Sequence, residues 1–341
     1  MQTAPSSAPA LPAPPAVRRW ARWFAPRPPQ AVSAVMLGER CLLARVERGG
    51  QGGGESGRLQ LSVVAEGDVG ELRAWKAQGH FERAQSVLVL RHQERHLLTF
   101  DRPEVPDAEL GLAMRFPLAE AMEAEPEQIL CTALALPRIN EAMRAQVLAV
   151  GGRVAPTLAH LEHLKSAGIK VRCIDTIDSA LRGMTLLQGT GNDGVIALAF
   201  IGHDICIGLL WRGEFCALRT LALPVRAPLV DGEFEEQLAL HIQRTTDHFE
   251  RQATALAVRH VLASMPALAA PARESLRAAL PMGAQLFELD TWMSMSGVTR
   301  EHIDGHNDLT ALACVAAARL LDMRTVDGHA PAVQPRQEQT A

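Results

Sequence analysis

The sequence predicts an α/β fold of two similar lobes, the first carrying a small inserted subdomain. Three observations predict it. The order strand–turn–strand–strand–helix occurs twice. Gly38 and Gly202 hold the same place in the first turn of each set, 164 residues apart (202 − 38). Between the two sets, helices and strands alternate, which is the order of an open layered sheet with helices on its faces.

The first set begins near Ala31. Residues 32–37 run apolar, Gly38-Glu39-Arg40 reads as a turn, Cys41–Val46 continues as a strand and Leu59–Val64 is a third. A Gly-rich stretch, residues 49–57, separates the last two. It lacks the GK[ST] ending of a phosphate loop and opens no helix. Asp68 can cap a helix running to Gln78 and stopped by Gly79, and Val87–Leu90 is a further strand. The second set has strands at Val195–Ile201, Ile205–Trp211 and Phe215–Leu223. A helix over 233–257 follows, with an apolar stripe through Phe234, Leu238, Ile242, Thr245, Phe249 and Leu256.

Between the sets, residues 101–137 read as an insertion, with helices at Ala108–Arg115 and Leu118–Ala124 and a strand at Ile129–Leu134. Gln146–Val150 and Val171–Ile174 read as strands, Pro156–Ala167 and Ile177–Leu187 as helices. Toward the end, Gln285–Leu289 reads as a strand and Leu309–Leu321 as a helix. The expected organisation is an arm (1–30), a first lobe (31–190, including 101–137), a second lobe (191–323) and a loose tail (324–341).

The chain has 341 residues, 48% of them hydrophobic, and a net charge of −4. A nucleic-acid partner is not expected, because phosphate binding wants a basic excess. The charge is uneven. Residues 1–30 hold Arg18, Arg19, Arg22 and Arg27 and no acid, so the rest is −8. Residues 1–16 are Pro/Ala-rich and expected to be disordered. In the stretch 17–24 (VRRWARWF), Trp20, Trp23 and Phe24 share a helical face while Arg18, Arg19 and Arg22 point elsewhere. That composition suits an anionic membrane surface, and the alternative is docking on the protein itself. Changing Trp20, Trp23 and Phe24 together to Ala is expected to weaken sedimentation with anionic liposomes; unchanged binding would remove the membrane role. No apolar run approaches the roughly 20 residues of a spanning helix. Six scattered cysteines without a CxxC pair read as reduced, mostly buried thiols rather than a disulfide or zinc framework.

Residues 145–184, with their helix ending at an Ala-Gly-Ile step and the following Ile174-Asp175 strand end, resemble a stretch of the PilM family. Residues 194–223 resemble that family's opening hairpins of the second half. Residues 237–252 (QLALHIQRTTDHFERQ) are similar to a helix of MshI-type (MSHA agglutinin) pilus biogenesis proteins. The resemblance spans roughly residues 31–323. It implies an actin-like, duplicated RNase-H-like fold. It also implies a cytoplasmic place on the inner face of the bacterial inner membrane. The implied role is a scaffold of a type IV or MSHA-like pilus complex, with the tail of a PilN-like partner held in a groove beside the inserted subdomain.

In that family each phosphate turn reads Asp-apolar-Gly followed by Ser or Thr. Here the turns read Met36-Leu37-Gly38-Glu39 and Phe200-Ile201-Gly202-His203. Gly38 and Gly202 are kept as degenerate phosphate loops, but Met and Phe cannot coordinate Mg²⁺, which takes hard oxygen ligands. The Gly-rich adenine loop is also missing around 261–284. No cofactor and no catalysis are therefore expected. A working ATP-binding member of the same machinery and an unrelated two-lobed enzyme stay as alternatives.

No other motif carries chemistry. His203-Asp204 reads as a polar turn, and no GxSxG nucleophile is present. His92 and His96, at i,i+4 spacing, read as surface positions. His241 and His248 lie about 10 Å apart, too far for one ion. Asp247 and Arg251 read as an exposed helix pair.

Overall fold

The computed structural model describes residues 30–48, 59–79, 84–141, 143–187, 194–201, 204–221, 233–252 and 258–264, with short pieces at 274, 278, 285–286, 293–295, 313 and 315–317. The strands are β1 (Gln30–Leu37), β2 (Arg40–Arg48), β3 (Leu59–Gly67), β4 (Gln85–Leu90), β5 (Arg95–Asp101), β6 (Ile129–Ala135), β7 (Gln146–Arg153), β8 (Val171–Thr176), β9 (Gly194–Ile201), β10 (Asp204–Trp211), β11 (Glu214–Leu221), β12 (Val258–Ser264), β13 (Gln285–Leu286) and β14 (Met293–Met295). The helices are α1 (Val69–Ala77), α2 (Leu110–Ala121), α3 (Val154–Ser166), α4 (Ile177–Leu187) and α5 (Glu233–Gln252).

Each lobe is built on one mixed sheet. The first has order β14-β3-β2-β1-β4-β8 and the second β11-β10-β9-β12-β13. In each, an antiparallel meander is extended by parallel strands: β1 pairs parallel with β4, and β9 with β12. The duplication read from the sequence is thus a duplication of topology. Met293–Met295, far along the chain, pair with Leu59–Leu61 of the first sheet. The sheet boundary therefore does not follow a single cut near residue 190.

Alternate residues of β1 feed two different cores. Ala31 and Val35 join a cluster with Ile177, Leu181 and Met184 of α4, with Ala197 and Ala199 of β9, and with Ala313 and Val315–Ala317. Val32, Ala34 and Met36 join Leu72 of α1 and Leu164 of α3. Burial on both faces explains why β1 reads as a nearly unbroken apolar run. On the far side of the second sheet, Ile196 and Leu198 pack against Leu238 and Ile242 of α5. The order is helices, sheet, shared middle layer, sheet, helix. The middle layer is a common core for both lobes.

Local signals place the ends of these elements. The Asp68 side chain accepts from Glu71 N at 2.9 Å while Glu71 accepts from Asp68 N at 2.8 Å, a reciprocal cap on α1. α3 ends where Ile169 N donates to Leu164 O at 2.9 Å and Gly168 adopts φ +79°.

The insertion is larger than expected. β5, β7 and β6 form a separate three-stranded sheet, in that order, so it spans Arg95–Arg153 rather than 101–137. The α2 region was expected as two helices, Ala108–Arg115 and Leu118–Ala124. It is one helix, with Pro117 inside it. Pro117 removes one internal hydrogen bond, but Leu110, Met114 and Leu118 on a single face pack against Ile129, Val147 and Ala149. That burial outweighs the loss.

Candidate functional site

Two neighbouring features lie where the insertion, the first lobe and the second lobe meet: a groove and a polar seam. The groove is a cavity of about 430 Å³. Its insertion side is formed by Leu130, Thr132 and Leu134 of β6 and Val150, Gly151 and Gly152 of β7. Its first-lobe side is formed by Ile174–Thr176 at the end of β8 with Ser179 and Arg182 of α4. Glu214 and Phe215 of the second lobe close it. Among the described residues β6 and β8 are each the edge strand of their sheet, so the groove runs between two sheet edges. Its lining is mainly apolar, and Leu134 and Ile174 are exposed there, at 51% and 40%.

Glycine makes this geometry possible. A Cβ on Gly151 would lie 2.3 Å from Leu118 Cδ2 and 3.1 Å from the Leu130 carbonyl oxygen, so a side chain there would have to displace the buried Leu118 side chain. The start of α4 is fixed by Asp175, whose Oδ1 accepts from Thr176 N at 2.8 Å and from Ser179 Oγ at 2.5 Å. Arg182 then reaches the β10–β11 turn, donating to the Gly213 carbonyl and to Glu214, each at 2.5 Å. In that turn Arg212 and Gly213 both have positive φ, +53° and +73°, the pattern of a type I′ hairpin. The Arg212 guanidinium lies 4.4 Å from the centre of the Trp211 ring.

The polar seam begins at the turn His92–Glu94, which leads from β4 into the insertion. Arg95 donates to both oxygens of Asp178, at 2.6 and 2.5 Å, and to Thr220 Oγ1 of the second lobe at 3.0 Å. Both charged side chains are buried, at 7% and 2% exposure. Burial works against the Arg95 charge, but Asp178 outweighs it and raises its pKa. His92 Nε2 lies 2.5 Å from Asp204 Oδ2 of the second lobe. Glu94 accepts from Arg91 N at 2.8 Å, pairs with the Arg91 side chain and meets His160 of α3 at 2.9 Å. Burial alone would raise the Glu94 pKa. The bonds from His160 and Arg91 win and hold it at about 2.

Several sequence expectations are revised here. His92 is not a surface residue; its side chain is 9% exposed and joined to the second lobe. Asp204 starts β10 and is the partner of His92, not merely a turn residue. Arg251 donates to the Asp247 carbonyl oxygen at 2.9 Å rather than forming a side-chain pair. The sequence reading missed Arg95 and Asp178, whose side chains meet across 83 positions.

Of the two degenerate turns, Gly38 has φ +71° with open space where a Cβ would stand. Leu37 pairs with Arg40, so Gly38-Glu39 is a two-residue turn with glycine at its first position. Met36 is 1% exposed among Leu72 and Leu164. Gly202 lies outside the described residues, as do Arg18, Arg19, Trp20, Arg22, Trp23 and Phe24. Cys41, Cys206 and Cys216 are buried free thiols, each pushed up to about 12 chiefly by burial. Among the described residues no cluster of metal-ligating side chains occurs and no helix is long and apolar enough to cross a membrane.

No family model and no curated protein matches the sequence. Solved structures do match. A PilM–PilN type IV pilus biogenesis complex is similar at 16% identity and a TM-score of 0.56, over 85% of this chain and 98% of the other. The cytoplasmic domain of EpsL, an inner-membrane component of the type II secretion system of Vibrio cholerae, is similar at 11% identity and a TM-score of 0.44, over 85% and 95%. A Bacteroides thetaiotaomicron protein of actin-like ATPase fold and unknown function is similar at 9% identity and a TM-score of 0.42, over 84% and 95%. The chain has the actin-like fold.

Proposed function

We propose that the chain is a scaffold of a type IV or MSHA-like pilus assembly complex. It sits at the cytoplasmic face of the inner membrane and holds the tail of a PilN-like partner without hydrolysing ATP. The observation that carries this reading is the groove: an apolar cavity of about 430 Å³ between two sheet edges, with exposed Leu134 and Ile174 on facing walls. An extended peptide fits such a place, because free edges offer backbone hydrogen bonds and the cavity accepts alternate side chains. Likeness to a chain of a PilM–PilN type IV pilus biogenesis complex supports a PilN-like occupant.

The residues present do not suit Mg·ATP. The first turn offers Met36, enclosed in a hydrophobic cluster, where an oxygen ligand is needed. The carboxylates near the seam are engaged by protein side chains, Asp178 by Arg95 and Asp204 by His92. Calorimetric titration of the full chain with Mg·ATP is expected to give no binding heat, and saturable heat would favour a working ATP-binding member of the same machinery. The test of the scaffold reading is co-purification with a PilN-like membrane protein through its cytoplasmic tail. Loss of the tail should abolish it; co-purification that persists without the tail would overturn the reading.

A further inference from the structure

The segment Arg91–Arg95 leads from the first lobe into the insertion, and three of its side chains, His92, Glu94 and Arg95, are tied to other elements. Glu94 holds α3 through His160, and Arg95 holds α4 through Asp178. Arg95 also reaches Thr220, and His92 reaches Asp204, both on the second lobe. The joint is in contact with the groove as well. Gly152, which lines the groove, pairs with Arg95, and a Cβ on it would stand 3.2 Å from the Glu94 carbonyl oxygen and 3.4 Å from Leu90 Cδ1. At the opposite rim a second lobe-to-lobe connection, Arg182 to Gly213 and Glu214, comes from α4, the helix that carries Asp178. The lobe-to-lobe polar bonds thus flank the groove, and the element that sets its width is anchored on both lobes at once.

We infer that these bonds act as a latch that couples the groove to the arrangement of the lobes: with His92 on Asp204 the groove is held narrow, and with that bond broken the insertion swings and the groove opens. Coupling of this kind is reciprocal, so filling the groove must also perturb the seam. The linkage is a property of this chain alone. It holds whichever partner the groove takes, and its test needs no partner.

The groove wall carries its own reporter, Cys131 of β6, half-buried and lining the cavity. The full chain is treated with iodoacetamide, and peptide mapping separates Cys131 from the other thiols. His92→Ala and Asp204→Leu are compared with the unaltered chain. Glu162→Gln, in an exposed pair with Lys165, is the control. In both latch variants Cys131 is expected to react about fivefold faster or more, and in the control at the unaltered rate. If His92→Ala fails to fold, buried Cys41 reacts as fast as Cys131, and Asp204→Leu, which keeps the side-chain shape but has no atom to bond His92, decides. In the reciprocal arm, N-ethylmaleimide on Cys131 is expected to change amide exchange at residues 92–95 and 204–210. A Cys131 rate in folded Asp204→Leu within about twofold of the unaltered chain overturns the latch, as does unchanged exchange at the seam.

Discussion

Replacing Asp178 by Ala is expected to lower the unfolding free energy by about 3–5 kcal/mol, one of the largest single-residue losses available to this chain. Asp178 is 2% exposed and accepts two short hydrogen bonds from Arg95, itself 7% exposed. Truncating it leaves a guanidinium in the interior with Thr220 Oγ1 and the His92 carbonyl oxygen as its remaining oxygen partners. Arg95 cannot escape by losing its proton, because arginine stays charged in proteins. The strain must therefore appear as lost stability or as water entering between the lobes. Arg95→Ala should cost a similar amount by stranding the carboxylate. The double variant Arg95→Met, Asp178→Leu should recover most of the loss, since a buried pair exchanged for apolar groups of similar volume is often neutral. Urea unfolding of the four proteins compares the broken pair with its apolar replacement. A single-variant loss below about 1 kcal/mol would show that water already reaches the pair.

A stability contrast exists at Glu94, only one residue from Arg95. Its pKa is depressed to about 2 from an ordinary carboxylate value near 4.5. Between those values the unfolded chain binds the proton and the folded chain does not. Its contribution is complete above about pH 4.5 and fades as the pH falls toward 2. Arg95–Asp178 and Glu94–His160 thus fasten the same joint to two different helices.

What was legible in the sequence and what was not follows from the range of each interaction. The meander of the first lobe is local: nearly unbroken apolar runs in β1 and β2, a glycine turn between them and a reciprocal cap at Asp68 all leave marks within a few residues. The same marks at Val195–Leu223 made the duplication visible. The insertion was read short because β5 and β7 join across more than forty intervening residues, and an apolar run does not say which sheet it enters. Pro117 signalled a break that packing on Ile129 and Val147 overrode. The seam left no local mark. His92 and His96 stand at helical spacing, but His92 is on a short turn and its partner is 112 positions away. The clue that existed was chemical. Arg91, His92, Glu94 and Arg95 crowd four polar side chains directly after an apolar strand, and such a cluster needs partners if it is buried. The groove left no local mark either, since its walls come from six separate stretches of the chain.

Leu134→Asp is the substitution that separates the groove from the fold. Leu134 is 51% exposed on the edge strand β6, so the charge meets water in the free chain, and stability should change by no more than about 0.5 kcal/mol. If a partner's tail fills the groove, that carboxylate must shed its water against Ile174 and Phe215. Arg182, the cation on the opposite wall, is already engaged with Gly213 and Glu214. A residue at the centre of such a contact costs about 2 kcal/mol or more when spoiled, which is about thirtyfold in affinity. Co-purification with a PilN-like protein should therefore fail while the unfolding transition stays in place. Phe116→Asp supplies the comparison. Phe116 is as greasy and more exposed, at 65%, but stands on α2 and does not line the groove. Binding should survive that change. If Leu134→Asp binds undiminished and Phe116→Asp does not, the partner lies on the outer face of α2, and the cavity between the two sheet edges is not where the tail is held.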